Sequence, residues 1–282
     1  MANLKKTKTP DSETLTPQTL GGSMFIRNAI QFDYCVCEAL ASLCSLCDQV
    51  VIVDASSTDG TLEMLQEFQK SRNNLKIVSG ENWECHEKYD RLRILADIAK
   101  SHLKTKWHFM LQADEVVHES SFKSIRKAIK SEKYDSYTVR RMNLFGDLNH
   151  YLKYDIPHEH KPVSDTVVRL AKIGYNAYGD AESLQTDPAS CGNNYTDEIL
   201  IMHYGFVRRD KNNLDKTISM QSWFWGEGSQ PDSRVVEMAK KGTRYEWELL
   251  KSRDLLAKIY VEHPKFVKKW AEERQAEKIP VV

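Results

Sequence analysis

The sequence of 282 residues contains no apolar run that approaches the roughly 20 residues needed to cross a bilayer. Its first ten residues, MANLKKTKTP, lack the apolar segment of a secretory signal. It also lacks an excess of charge, because 40 basic and 40 acidic residues cancel, so no overall field draws it to nucleic acid or to an anionic membrane. These absences predict a cytoplasmic protein without a transmembrane segment.

A complete zinc motif is missing as well. Four of the six cysteines follow a C-x-C-x6-C-x2-C spacing within residues 34–50, YCVCEALASLCSLCDQV. No His accompanies them and no Gly-rich turn separates the pairs, whereas the segment is mostly apolar and Cys often acts as a small buried hydrophobe. We therefore expect these cysteines in the core, and we expect no disulfides in a reducing compartment.

Strand and helix patterns alternate from residue 24 onward. The continuous β-branched run at residues 49–53 is typical of a parallel strand covered on both faces. Strands are predicted at residues 24–26, 49–53 and 75–78, with a helix at 34–46 and another beginning after Gly60. This β-α-β-α-β order predicts an α/β fold with an open, mostly parallel sheet flanked by helices.

Three regions are predicted along the chain. Residues 1–23 are polar, end in Gly-Gly-Ser and are expected to form a disordered leader. Residues 24–210 would form the sheet domain, and residues 211–282 a helical extension packed on it. The aromatic cluster at residues 223–225 (Trp-Phe-Trp) is expected to dock that extension on the core, with a sugar platform as the alternative.

Polar side chains follow three strands at their carboxyl ends, where open α/β sheets bind ligands. They are Arg27 and Asn28, Asp54, and the adjacent acids Asp114 and Glu115. Asp54 suits hydrogen bonding to a ribose or base, and the helix that follows its loop presents an N-terminus that favours anions. The paired acids suit a divalent metal. An N-capped turn at the loop and a solvated turn at the acids are the alternatives.

Taken together, these motifs resemble those of family 2 glycosyltransferases. Residues 50–61, VVIVDASSTDGT, are similar to the nucleotide-sugar loop of that family, and residues 111–119, LQADEVVHE, to its acidic metal-binding motif in a Q-A-D-E form. The resemblance is closer to a bacterial branch and covers residues 24–210. Its further motifs here are Arg27-Asn28-Ala29, Asp33-Tyr34, Phe145-Gly146-Asp147, Gly179-Asp180-Ala181 and His203-Tyr204-Gly205-Phe206-Val207-Arg208. Phe206 stands where that branch has Trp, and Glu182 where it often has Gln.

The resemblance implies a GT-A (Rossmann-like) fold and a metal-dependent transfer of a sugar from a nucleotide-diphosphate sugar to an acceptor hydroxyl. Mn²⁺ or Mg²⁺ would be held by Asp114, Glu115 and His203, and imidazole favours Mn²⁺. Inverting transfer needs a carboxylate to take the acceptor proton, and Asp180 is the first candidate for this role, with Glu182 second. The candidate donor-binding residues are Arg27, Asn28, Asp54, Ser57, Asp59, Gln112 and the pair Arg91 and Arg93, of which either could neutralise phosphate.

Other functions fit less well. A nucleotidyltransferase would favour a Gly- and Lys-rich phosphate loop near the first strand, which residues 27–29 do not supply. A non-catalytic domain that binds sugar or nucleic acid is the other alternative, against which the acids and the late His argue. His158-Glu159-His160 lies in an irregular segment that we assign to the acceptor side rather than to zinc. The acceptor stays open among glycan, small molecule and, with less support from the neutral charge, nucleic acid.

Overall fold

A computed structural model describes residues 19–80, 90–153, 166–185, 193–225 and 233–276. Most of the predicted leader, Cys85, Cys191 and the segment His158-Glu159-His160 lie outside these residues. The described strands are β1 (Leu20–Ile26), β2 (Gln49–Asp54), β3 (Leu75–Ser79), β4 (Trp107–Met110), β5 (Glu115–Val117), β6 (Ser136–Phe145), β7 (His150–Leu152), β8 (Thr166–Lys172), β9 (Asn176–Tyr178), β10 (Ser183–Gln185), β11 (Asn193–Phe206) and β12 (Leu256–Lys258). The described helices are α1 (Val36–Leu46), α2 (Thr61–Gln69), α3 (Arg91–Ser101), α4 (Phe122–Ser131), α5 (Asp210–Trp225), α6 (Ser233–Lys240), α7 (Thr243–Ser252) and α8 (Lys268–Ala276).

The central sheet runs in the order β3-β2-β1-β4-β8-β6, and β11 pairs with β6 and β5. Strands β1 to β4 are parallel to their neighbours in that group, and β6 and β11 are also parallel. Strand β8 is antiparallel to both β4 and β6. The predicted α/β fold with a mostly parallel sheet and flanking helices is confirmed.

The β-branched run of β2 is buried from both sides. Val50 and Ile52 belong to the core cluster that contains α1, whereas Val51 and Val53 pack with Leu95 of α3. Because side chains alternate across a strand, an all-apolar run is what two covering helices require. Complete burial of each such side chain contributes about 1.5–3 kcal/mol.

The first strand begins at Leu20 and not at residue 24, so the end of the predicted leader is part of the sheet. Gly21 and Gly22 pair with β2 on one side and with β4 on the other. A β-carbon at Gly21 would stand 2.6 Å from Oγ1 of Thr105, so this position has no room for a side chain. The glycines that suggest flexibility in the sequence are therefore a close approach in the middle of the sheet.

The cysteines of the described region are core residues, as expected. Cys35, Cys37, Cys44 and Cys47 are free thiols, and they lie in or against the main hydrophobic cluster. Burial raises the pKa of Cys37 and Cys44 to about 11, so both remain protonated and do not favour zinc.

The described residues 210–225 and 233–276 are mainly helical, with β12 added beside β7. Val267, Trp270 and Ala271 enter the main core, and the side chains of residues 223–225 lie outside what the structure describes. Asp33, after β1, accepts hydrogen bonds from Arg209 at 2.9 Å and from Arg274 of α8. Of the described helices, none combines the length and apolar character needed to span a bilayer.

Candidate active site

The acidic segment 111–119 follows β4 and contains β5, which lies beside the last residues of β11. The backbone N–H of Tyr204 donates to the carbonyl oxygen of Asp114 at 2.8 Å, and His203 is the antiparallel partner of Glu115. The end of β11 therefore lies against the acids at the carboxyl end of β4. His118 caps the short helical turn Glu119–Ser121 that precedes α4.

The two carboxylate oxygens of Asp114 face different groups. Oδ2 accepts a 2.7 Å hydrogen bond from Nη2 of Arg208 and lies 3.6 Å from Nζ of Lys216. Oδ1 lies 3.6 Å from Nε2 of His203. Burial alone would raise the pKa of Asp114, but His203, Lys216 and Arg208 outweigh it and hold that pKa well below its usual value. Asp114 is therefore a buried carboxylate with one oxygen turned to an imidazole.

The orientation of His203 suits metal binding. Its Nδ1 lies 2.8 Å from Oδ1 of Asn143, an acceptor that fixes the ring with Nε2 facing Asp114. A β-carbon at Gly205 would overlap Nε2 of His203 and come within 2.9 Å of Oδ2 of Asp114. Within the described ranges no group of three or more His, Cys, Asp or Glu side chains could hold a metal. Asp114 and His203 thus fit a divalent ion that takes its remaining ligands from a substrate and water.

Glu115, predicted as a second metal ligand, does not fit that role. Its Oε1 accepts hydrogen bonds from Arg169 at 2.7 Å and Arg141 at 3.4 Å, and its Oε2 accepts from the backbone N–H of Gln112 at 3.0 Å. The side chain is completely buried. Burial acts to raise the pKa of Glu115, and the two guanidinium groups reverse that effect and lower it. Both oxygens are committed within the protein, which corrects the prediction.

The loop that carries Asp180 is fixed by the same arginines. Nη1 of Arg169 and Nε2 of Gln112 donate to the carbonyl oxygen of Ala181, at 3.1 and 3.3 Å. Nη2 of Arg141 donates to Oε1 of Glu182 at 3.0 Å. Gln112, predicted to bind the donor, thus holds the loop of the candidate base. Gln112 directly, and Glu115 through Arg169, therefore link the acidic motif to the loop that carries Asp180.

Asp180 is exposed at the rim of this loop. Its pKa is raised, first by partial desolvation and then by the neighbouring negative charge of Glu182. A carboxylate with a raised pKa is a stronger base, so Asp180 suits proton removal better than an ordinary surface aspartate.

The predicted donor loop is built from β1 and β2 together. Asn28, at a positive φ of 54°, accepts from the backbone N–H of Thr58 at 2.9 Å, and its own N–H donates to Oγ of Ser57. Oδ2 of Asp54 accepts from Ser57, and Oδ1 of Asp54 is buried with no hydrogen-bond partner among the described residues. Among Asn28, Ser57 and Asp54, it is therefore Asp54 that retains an acceptor oxygen for a nucleotide.

Other predicted donor residues have structural contacts. Oδ1 of Asp59 accepts from Thr61 at the start of α2, which is the N-capped turn kept as the alternative. Arg27 donates to the carbonyl oxygens of residues 55 and 56. Arg93 is partly exposed and pairs with Asp90 at 2.9 Å, whereas Arg91 is buried at the first turn of α3.

Several residues of the site were not predicted from the sequence. They are Asn143, Arg141, Arg169 and Lys216. Arg208 was named only as the last residue of a motif, with no role of its own. An Arg inside an apolar strand, as in TVVRL at residues 166–170, is a signal for a buried ion pair. Lys216 lies in a polar helical stretch and carries no such signal.

A protein-family model described as glycosyl transferase family 2 matches residues 35–186. The structure is similar to that of Staphylococcus aureus TarS residues 1–349, with 10% identity, a TM-score of 0.45 and coverage of 77% of this chain and 69% of that one. The same TarS segment in complex with UDP-GlcNAc gives 12% identity, a TM-score of 0.45 and coverage of 79% and 71%. In complex with UDP it gives 10% identity, a TM-score of 0.44 and coverage of 79% and 70%. No curated protein is significantly similar in sequence.

Proposed function

The chain belongs to glycosyl transferase family 2, and from that premise we propose that it is a metal-dependent enzyme that moves a sugar from a nucleotide-diphosphate sugar to an acceptor hydroxyl. The observation that carries the proposal is the pair formed by Oδ1 of Asp114 and Nε2 of His203, 3.6 Å apart. An oxygen and an imidazole nitrogen in this relation suit Mn²⁺, and also Mg²⁺. The bacterial branch with R-N-A, Q-A-D-E and G-D-A motifs is the part of the family that we propose for it.

The nucleotide would bind beyond β1 and β2. Asp54 supports this because its buried Oδ1 is an acceptor without a hydrogen-bond partner among the described residues, and such a group is costly unless a ligand or water satisfies it. The N-terminus of α2, after Gly60, adds a partial positive charge that favours the phosphates. Arg91 is the arginine of α3 proposed to face the donor.

Asp114 and His203 would hold the metal, and Asn143 would keep the imidazole in the required tautomer. When bound, the metal would neutralise the negative charge that develops on the nucleotide diphosphate as the glycosidic bond breaks. Arg208 keeps Asp114 ionised and fixed by its 2.7 Å hydrogen bond.

Asp180 would take the proton of the acceptor hydroxyl as that oxygen attacks the anomeric carbon, with inversion of configuration. Its raised pKa and its exposed position at the loop rim support this assignment. Glu182, held by Arg141, would raise the basicity of Asp180 rather than act as the base itself. The acceptor and the predicted cytoplasmic location stay predictions.

The direct test is a panel of UDP-, GDP-, ADP-, CDP- and dTDP-sugars assayed with Mn²⁺ for slow hydrolysis and for thermal stabilisation. We expect at least one donor to raise Tm only when metal is present, and Asp114→Ala to abolish both effects. Failure of every nucleotide diphosphate and nucleotide sugar to shift Tm would contradict the proposal. Formation of a nucleotide sugar and pyrophosphate from a nucleoside triphosphate and a sugar phosphate would instead indicate a nucleotidyltransferase.

A further inference from the structure

Two cations, Arg208 and Lys216, lie beside Oδ2 of Asp114, and they differ in how many contacts they make with other protein groups. Arg208 is 1% exposed in its side chain, and its guanidinium is held on three sides. Nε donates to the carbonyl oxygen of Gly205 at 2.6 Å, Nη1 to that of Phe32 at 2.7 Å, and Nη2 to Asp114 at 2.7 Å. Arg208 is therefore a fixed part of the site.

Lys216 is held much more loosely. Its Nζ lies 3.6 Å from Oδ2 of Asp114, beyond the length of a normal hydrogen bond, and 5.0 Å from the ring centroid of Tyr34. The side chain is 19% exposed. An ammonium group has three N–H donors, and these two contacts are the ones found for Lys216 in the described part of the chain. Lys216 thus retains donors for a ligand.

The charges around Asp114 favour an additional anion. One carboxylate faces the two permanent cations Arg208 and Lys216, and the residual positive charge lies beside the proposed metal pair of Asp114 and His203. A diphosphate would balance this charge, because it supplies negative oxygens to a metal and to an ammonium at the same time. A neutral sugar or a nucleobase would not.

We propose that Lys216 binds the diphosphate of the sugar donor, so that α5 forms one wall of the donor site. This inference rests on the proposed function and extends it to a residue outside the segment 35–186 that the family model matches. The ammonium moves from Asp114 to a phosphate oxygen when the donor binds, and Arg208 remains to neutralise Asp114.

The test compares the parent protein with Lys216→Met, Lys216→Arg and Lys211→Met. Lys211 is an exposed lysine of the same helix, so its variant controls for loss of a charge on α5. Binding of UDP, GDP, ADP, CDP and dTDP is measured by titration calorimetry with saturating Mn²⁺, at low and at high salt. Circular dichroism and Tm confirm that each variant is folded.

For the nucleoside diphosphate that the parent binds, we expect Lys216→Met to weaken affinity about 10- to 100-fold and to reduce the salt dependence. Lys216→Arg should recover most of the affinity, and Lys211→Met should match the parent. Equal affinity of Lys216→Met and the parent would overturn the role of Lys216 and leave the proposed function intact. A parent protein that binds none of the five diphosphates with Mn²⁺ would overturn both.

Discussion

Oε1 of Glu115 accepts a 2.7 Å hydrogen bond from Arg169, and neither side chain is exposed to solvent. Nη1 of Arg169 continues to the carbonyl oxygen of Ala181, next to Asp180. The glutamate that follows Asp114, the proposed metal ligand, is therefore the internal counter-ion of the arginine that fixes the loop of the proposed base. Two adjacent acids have two separate tasks.

Replacement of Arg169 by Met should destabilise the protein by about 3–5 kcal/mol, because it leaves the carboxylate of Glu115 buried with the more distant Arg141 as its remaining charged partner. Urea unfolding at neutral pH measures the loss. Lys70→Met, at an exposed pair with Glu67, serves as the control and should give no measurable change. A loss of less than about 1 kcal/mol in Arg169→Met would show that the pair is not a strong internal contact.

Asn143→Ala should weaken Mn²⁺ binding about 10- to 100-fold, because Nδ1 of His203 loses the acceptor that fixes its tautomer. Electron paramagnetic resonance of free Mn²⁺ in the presence of the donor measures this affinity. Asn74→Ala removes an amide that donates to the carbonyl oxygens of Cys44 and Cys47, away from the site. It should leave Mn²⁺ binding unchanged, and an equal effect of both substitutions would exclude a specific role for Asn143.

Glu182→Gln should move the acidic limb of the kcat/KM profile to lower pH. The pKa of Asp180 is raised by burial and by the charge of Glu182, and the base is active only when deprotonated, so the rate falls as pH drops through that pKa. Removal of the neighbouring charge lowers the pKa and extends activity towards acid. Glu198→Gln, at an exposed position of β11, is the control.

Asp180→Asn should lower kcat by at least about 100-fold across the profile, because an amide cannot accept the acceptor proton. Steady-state kinetics at the optimal pH, with donor binding measured separately, would distinguish this loss from a loss of affinity. An Asp180→Asn enzyme with nearly normal kcat would transfer the role of base to another residue, with Glu182 the first to examine.

His108 should make the fold sensitive to acid. Burial, with a smaller effect of Lys100, lowers the pKa of His108 from 6.5 to about 3, and its Nε2 lies 2.5 Å from Oγ of Ser23. Between these values the unfolded chain takes up a proton that the folded protein excludes, so stability falls as pH falls, by about 1.4 kcal/mol per pH unit. From pH 7 to pH 5 the contribution of His108 is a loss of about 2 kcal/mol.

Urea unfolding of the parent and of His108→Gln at pH 7 and pH 5 isolates that contribution. The variant has no group to titrate at this position, so its stability should change with pH by about 2 kcal/mol less than that of the parent. The same pH dependence in both proteins would mean that His108 is not held neutral in the fold.

Local pattern predicts the parts of this fold that depend on local rules. The run Val50–Val53 specifies a strand covered on both faces, and Asp54 at the end of β2 and Asp114 after β4 indicate the sheet edge where we propose that the donor binds. The prediction for Gly21 and Gly22 was wrong because a polar, Gly-containing segment suggests flexibility, whereas strands on both sides of these residues determine their environment. Composition alone does not contain that information.

The different environments of Asp114 and Glu115 also could not be predicted from the sequence. It depends on Arg141 and Arg169, which come from β6 and β8, and on His203 and Arg208 near the end of β11. Such partners are fixed by strand order in the sheet, not by spacing along the chain. The proposed role of Lys216 is even harder to predict from the sequence, because a lysine on a polar helix has the same local pattern whether it faces solvent or a phosphate.

The distance along the chain between Asp114 and Arg208, 94 residues, has a consequence for biosynthesis. A ribosome completes the acidic strand end long before it makes the imidazole, the glycine and the guanidinium that surround it. A chain truncated before residue 203 would carry the acidic motif and most of the sheet without a working centre. The proposed active site would therefore be completed only late in synthesis, and incomplete chains would not react with the cell's nucleotide sugars.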